Sequence, residues 1–480
     1  MHHSPEQLAA ALAQLDLQME ETEQAFANSL AAVHPQHKRN AANLLHYLQL
    51  RSVDFRTLQD DLHALGLSSL ASSESHVRGQ LHQILHWLQR KPSVVPDLFQ
   101  ADTAHDSLTT RASALFGTKQ YETVPFIMVT LESSLAQNYE GIKNLLQSGM
   151  NVARINCAHD DEATWLSLIQ HIRRASHITG LTCKIYMDLP GPKIRTVIRG
   201  DGKKEMQTGD SFHLVDTTLF EEHPHAVGCS LDGIVDQLQV GDTVLFDDGL
   251  IETRVDKKST GLAKLLVQRV STKKPYLKAE KGINFPDTIL DIPALTEQDR
   301  LCMPFMLQYA DMIGYSFVRT TSDVELIRQA LGESPHPALI LKIETPEAVR
   351  NLPHLLLSAM QEEHVGVMIA RGDLAVEIGF ERLSEIQEEI LWLCEAAHVP
   401  VIWATQVLES LNKSGLATRS EVTDAAHAIS ADCVMINKGT HMIKTIETLR
   451  DILLRSGGHH AKKRYTFRPL GIAKQFIDSR

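Results

Sequence analysis

From residue 124 onward the chain alternates short, fully apolar runs with amphipathic stretches of helical period. The apolar runs are 125–131, 150–156, 182–188, 312–317, 338–343, 365–370, 399–404 and 433–437. Between most of them lie helix-periodic stretches, at 139–147, 162–175, 322–331, 346–359 and 383–397. Runs this short that are apolar on both faces read as parallel strands covered by helices. Eight such units in series predict a (β/α)8 TIM barrel over 121–195 and 283–460, in the α/β class. One gap breaks the rhythm. Residues 196–282 carry short Val- and Thr-rich strands, an Asp247-Asp248-Gly249 turn and no strong helix pattern. They read as a small β-barrel domain inserted after the third strand, placed to act as a lid over the strand ends. Residues 1–120 are instead rich in Leu, Ala, Gln and His with helical periodicity and form an N-terminal helical domain. Leu8, Leu12, Leu15, Met19 and Phe26 make a heptad-like stripe that Thr22 interrupts. The stripe reads as the buried face of a small bundle, with an oligomerisation seam as the alternative. Residues 461–480 form a basic tail.

Composition narrows the classes. The chain has 480 residues, 43% hydrophobic and 22% charged, with net charge −12. That balance and the lack of a long basic run exclude a nucleic-acid surface. No apolar run is long enough for a membrane span, and no secretory leader is expected ahead of the first helix. Six cysteines are scattered without metal-binding spacing, as suits a reducing compartment and a cytoplasmic protein.

In barrels of this kind the chemistry sits at the C-terminal ends of the strands. There the chain places Arg154 and Asn156, with His159 just beyond; Asp188, then Lys193 and Arg195; Ser316 and Arg319; Lys342 and Glu344; Arg371, Gly372 and Asp373; Thr405; and Asn437 with Lys438. Lys342 and Glu344 stand two apart on a strand and so face one spot. By itself this is equally the pattern of a structural ion pair. With Asp373 on the next strand, two carboxylates suit a divalent ion that keeps open positions for water and substrate. The surplus cations Arg154, Arg195 and Lys342 suit phosphate. Together they suit phosphoryl transfer. There is no P-loop and no GxGxxG.

The segments Gly149 to Asn156, Asp188 to Thr196, Asp247 to Ile251, Lys281 to Asn284, Ser316 to Arg319, Lys342 to Glu344 and Ala370 to Leu374, followed by Ala404-Thr405-Gln406 and Thr418 to Glu421, resemble the pyruvate kinase family in content and order. The resemblance implies transfer of phosphate from phosphoenolpyruvate to ADP, giving pyruvate and ATP in glycolysis. It implies Glu344 and Asp373 as ligands of Mg2+ or Mn2+. Lys342, Arg154 and Thr405 become the catalytic residues. Gly372, Asp373, Thr405 and Arg154 bind phosphoenolpyruvate, and Asn156, His159 and Arg195 lie on the nucleotide side. A homo-oligomer is compatible with the family, although the stretch after the barrel is expected to leave no room for its C-terminal regulatory domain. The chain also departs from the pattern. Ala158 and Leu189 stand where the family's potassium site has Ser and Thr, and Lys193 replaces the Glu of Gly-Pro-Glu-Ile-Arg. Lys193, with Asp188, is therefore expected to substitute for the monovalent cation, so that potassium is not required. Glu132-Ser133-Ser134 and Lys438-Gly439-Thr440 alter nucleotide-side loops, and the family's lid lysine aligns with Thr243. These changes keep open an alternative, a weakly active or inactive relative that senses phosphoenolpyruvate or a nucleotide.

Overall fold

The computed structural model describes residues 4–460, apart from 90–100, 122, 200–202, 273 and 334. The expected tail at 461–480 lies outside the described residues. Eight parallel strands close into a barrel. In chain order they are Phe126–Thr130, Val152–Asn156, Lys184–Asp188, Met312–Tyr315, Ala338–Ile343, Val365–Ala370, Val401–Ala404 and Cys433–Ile436. Each matches one of the apolar runs, because a strand covered by side chains inside and helices outside has no polar face to display. The barrel interior is filled by Met128, Val152, Tyr186, Met312, Ile340, Met368, Ile402 and Met435. Ala112, Leu115 and Phe116 of the helix Ala101–Phe116 join that layer and plug its lower end.

Helix boundaries follow local chemistry. Thr320 and Thr418 each accept from the backbone amide three residues on, while the acid there, Asp323 or Glu421, closes the capping box. Thr345 caps Pro346–Ala359, with proline at the first position, where its missing N–H costs nothing.

Residues 196–284 carry a seven-stranded, mainly antiparallel sheet, with a separate two-stranded antiparallel ribbon pairing Lys203–Glu205 and Tyr276–Lys278. The expected small barrel is, among the described residues, a sheet whose strand order ends on Ile283–Asn284 and Thr196–Val197. The two edges are joined at the root by the Arg195–Gly282 bridge and its backbone hydrogen bonds, from the Thr196 amide to the Lys281 carbonyl (2.8 Å), from Glu280 to Thr196 (2.9 Å) and from Ile283 to Ile194 (2.9 Å). The sheet has its own core, including Phe212, Leu214, Val244, Phe246 and Leu265.

The N-terminal helices settle the stripe's role within this chain. Leu8, Leu12, Leu15 and Met19 are buried, and they belong to a core continuous with the barrel's outer layer, with Phe26 packed against it. The junction is polar at a few points. Asn43 donates to the carbonyls of Glu74 (2.7 Å) and Ala396 (2.8 Å). His398 Nε2 lies 2.9 Å from the Ser75 carbonyl, and His37 Nε2 lies 3.0 Å from that of Glu363. No described helix is long and apolar enough to cross a membrane.

Candidate active site

Strand register sets the geometry at the upper rim. Asn156 and Gly314 both pair in register with Asp188, so the third strand delivers its carboxylate between its neighbours. Gly314 is required there: a Cβ would stand 1.8 Å from the Tyr186 hydroxyl oxygen and 2.5 Å from Asp188 Oδ1. Asp188 is 1% exposed and its oxygens are fully used. Oδ1 accepts from the Tyr186 hydroxyl at 3.0 Å, and Oδ2 accepts from Arg154 Nε and Nη2 at 3.1 and 2.5 Å. Oδ2 also lies 3.4 Å from Lys342 Nζ. Arg154 is steadied from its other side by the Thr130 hydroxyl at 2.9 Å.

Lys342 is the hub. Its ammonium donates to Ser316 Oγ at 2.6 Å and lies 3.2 Å from Glu344 Oε1. Burial works against that charge, but Asp188 and Glu344 outweigh it, and the ammonium is held above its ordinary pKa. Asp188 is the converse: burial opposes ionisation, while Lys342 and Arg154 overcome it and keep the pKa low. Glu344 goes the other way. Burial, reinforced by repulsion from Asp373 and only partly offset by Lys342, raises its pKa. Its second oxygen accepts from the Phe317 amide at 2.6 Å, which holds Phe317 in the left-handed region at φ 54°.

Asp373 stands in the first turn of the helix Arg371–Ile378, directly after the sixth strand. That helix start is locked in place. Arg371 donates to the carbonyls of Ala404 (3.1 Å) and Thr405 (2.6 Å), pairs with Asp424 and stacks on Trp403. The Gly372 amide donates to Thr405 Oγ1 at 2.7 Å, with Thr405 itself at φ 66°. A carboxylate whose pKa is raised by burial, with repulsion from a second carboxylate adding to it, is an environment that a divalent cation would relieve, so Glu344 and Asp373 fit such an ion. Among the described residues no cluster of three or more His, Cys, Asp or Glu side chains could hold a metal. An ion held by two carboxylates would have further positions for water and substrate oxygens.

Sequence reasoning paired Lys193 with Asp188. The structure instead puts the Lys193 ammonium on Asp373, at 2.7 and 3.0 Å from its two oxygens, and gives Asp188 to Arg154 and Lys342. Asn156 and His159 line a second region, a cavity of about 630 Å³ shared with Arg154, Thr130, Glu132 and Lys438. His159 is held neutral to lower pH by burial and by the Lys438, Arg195 and Arg154 cations. Arg195 stands at the root of the inserted sheet and donates to the Glu280 carbonyl at 3.0 Å. Arg319 is bound to the carbonyls of Leu290 and Ile292, which gives it a structural role. Thr243 lies in the inserted sheet with its amide on Asp287 at 2.9 Å.

Several site residues were not assigned roles from sequence. Ser316 orients Lys342 by passing a hydrogen bond to the Leu189 carbonyl at 2.7 Å. Lys281, 3.0 Å from Asp247, is a cation at the sheet root that periodicity could not flag. Burial holds Asp248 above its ordinary pKa despite the Lys193 charge.

Comparison with known proteins agrees with this architecture. Residues 125–443 match the family model described as pyruvate kinase, barrel domain. A pyruvate kinase of Bacillus licheniformis is 34% identical over 332 residues, covering 67% of this chain and 55% of that protein. One of Geobacillus stearothermophilus is 33% identical over 330 residues, with the same coverage of each chain. Pyruvate kinase 2 of Trypanosoma brucei brucei is 36% identical over 315 residues, 63% of this chain and 60% of the relative. The chain thus spans little more than half the length of the relatives it matches. The closed barrel, its inserted sheet and a match covering every barrel strand lead to one conclusion: this chain belongs to the pyruvate kinase family.

Proposed function

We propose that the protein transfers a phosphoryl group from phosphoenolpyruvate to ADP. The observation that carries this reading is the buried Lys342 ammonium, set between Glu344 and Asp188, with the Arg154 fork on the same Asp188 oxygen. A magnesium or manganese ion held by Glu344 and Asp373 would supply positive charge beside the substrate's carboxylate and enol oxygens.

The chain's own residues would divide the remaining work. Arg154, fixed by Asp188 and Thr130, presents guanidinium hydrogens to the phosphate, a match for its tetrahedral oxygens. Lys342 carries its full charge at neutral pH and stabilises the phosphoryl group as it leaves the enol oxygen for an oxygen of the ADP β-phosphate. The same ammonium stabilises the enolate left behind, which takes a proton at its methylene carbon. Thr405 and the Gly372 amide, now hydrogen-bonded to each other, would receive the substrate carboxylate. His159, Asn156 and Arg195 would face the nucleotide, in keeping with the 630 Å³ cavity beside Arg154.

Potassium independence is part of this proposal. Ala158 offers no hydroxyl, so a monovalent ion would lose one ligand of the family's set, and Asp188 is already paired with the Arg154 and Lys342 cations. Lys193 adds a fixed cation on Asp373 instead. Pyruvate formation would be followed by coupling to lactate dehydrogenase, in buffers without and with potassium. Turnover that requires both phosphoenolpyruvate and ADP and is unchanged by potassium is expected. A large stimulation by potassium would reject its independence, and absence of ADP-dependent turnover would favour the sensor alternative.

A further inference from the structure

The helix Arg371–Ile378 does more than present Asp373. Every side of the inserted sheet's root reaches it. Lys193, on the outgoing connection, touches Asp373. Gly249, in the Asp-Asp-Gly turn, lies so close that a Cβ there would be 3.7 Å from Phe380 and 3.9 Å from Val376. Asn284, on the returning strand, donates its side-chain amide to Glu377 Oε1 at 2.7 Å. Glu377 stands one turn beyond Asp373 and so on the same helix face. It also lines a cavity of about 280 Å³ behind the site, between the returning segment and the barrel loops.

We propose that Glu377 and Asn284 are positioning residues that latch the inserted sheet onto the helix carrying Asp373, so that lid position and metal-ligand position move together. The functional part of this inference rests on the phosphotransferase reading above; the latch itself does not.

The bond crosses between two units that have separate cores, and it joins the returning strand to a residue one turn from Asp373. Asn284 is fixed at its backbone by pairing with Leu245, so the amide cannot move without the sheet. Glu377 is held at about 7, chiefly by burial, with Asp373 repulsion adding to it and the Asn284 bond and Lys193 opposing. The charged groups facing it are Asp373 and Lys193, together with the Phe285 amide. When the sheet lifts, the carboxyl meets water and returns toward its ordinary pKa of 4.5. The docked state therefore binds more protons between these two values, and docking weakens as pH rises through that window. Between pH 6 and pH 8 the docking equilibrium should fall about tenfold.

Hydrogen–deuterium exchange of the whole protein, without substrates, reads this directly. Protection would be followed in 247–249 and 283–285, normalised for intrinsic exchange rates. The expected result is wild-type protection about ten times greater at pH 6 than at pH 8, with Glu377→Gln pH-independent because glutamine still accepts from Asn284 but does not titrate. Asn284→Ala should lose protection in 283–285 at both pH values while the barrel strands stay protected. If Glu377→Gln keeps the wild-type pH response, or Asn284→Ala keeps wild-type protection, the latch is overturned. In turnover, Glu377→Gln should lose the limb near pH 7 in kcat/KM. A protein without turnover that still shows the exchange pattern would retain the latch and reject only the phosphotransferase reading.

Discussion

Charging His37 or His398 should separate the N-terminal helices from the barrel. Both are buried at that junction as neutral rings. His37 places Nε2 on the Glu363 carbonyl and turns Nδ1 to Arg111 Nη1 at 2.9 Å, so Nδ1 is an acceptor. His398 places Nε2 on the Ser75 carbonyl. Burial pushes His37 down to about 4, with the Arg111 charge adding to it, and His34 faces it as well. Burial likewise pushes His398 down to about 3, and Arg111, His76 and Arg39 face it. The unfolded or undocked value is 6.5 for each. Below 6.5 the unfolded chain takes up protons that the folded one refuses, so stability falls as pH drops from 6.5 toward the folded values. At about 1.4 kcal/mol per pH unit, each ring should cost about 2 kcal/mol at pH 5, or about 4 kcal/mol together. That is a large part of a typical domain stability of about 5–15 kcal/mol. Urea unfolding at pH 7 and pH 5 would compare wild type with a His37→Gln/His398→Gln double variant. The wild type should lose about 4 kcal/mol more than the variant over that interval. An identical pH response in both would refute the reasoning.

Gly314→Ala would drive a methyl group into Tyr186 and Asp188, as the 1.8 and 2.5 Å approaches require. A stability loss of about 1–3 kcal/mol by thermal unfolding, with a larger fall in kcat, is expected. Asp188→Asn would leave Arg154 and Lys342 sharing one buried site without its main counter-charge. Denaturant unfolding should show a loss of about 3–5 kcal/mol.

The strands and the site's main charges were legible because they obey local rules. Lys342 and Glu344 could be placed on one spot from a two-residue spacing, and Asp373 from its place just after an apolar run. The stripe at Leu8 to Met19 showed a buried face but not its partner, because periodicity reports that a surface is covered and not by what. Contacts between remote segments were not legible. Lys193 and Asp373 are 180 residues apart, and Asn284 and Glu377 are 93 apart. Lys193 was expected beside Asp188 because sequence supplies the type of charge but not which of several acids its flexible stem reaches. The inserted sheet was seen as a lid, yet its joining to one short helix depends on a loop path that no short-range pattern encodes.

The most direct test is phosphoenolpyruvate- and ADP-dependent pyruvate formation by the full chain, compared with Lys342→Met after circular dichroism has shown the same fold. The account predicts turnover by the wild type and a fall of about a hundredfold or more in the variant, because a transition-state charge of this kind is worth several kcal/mol. Equal turnover by both proteins would contradict it.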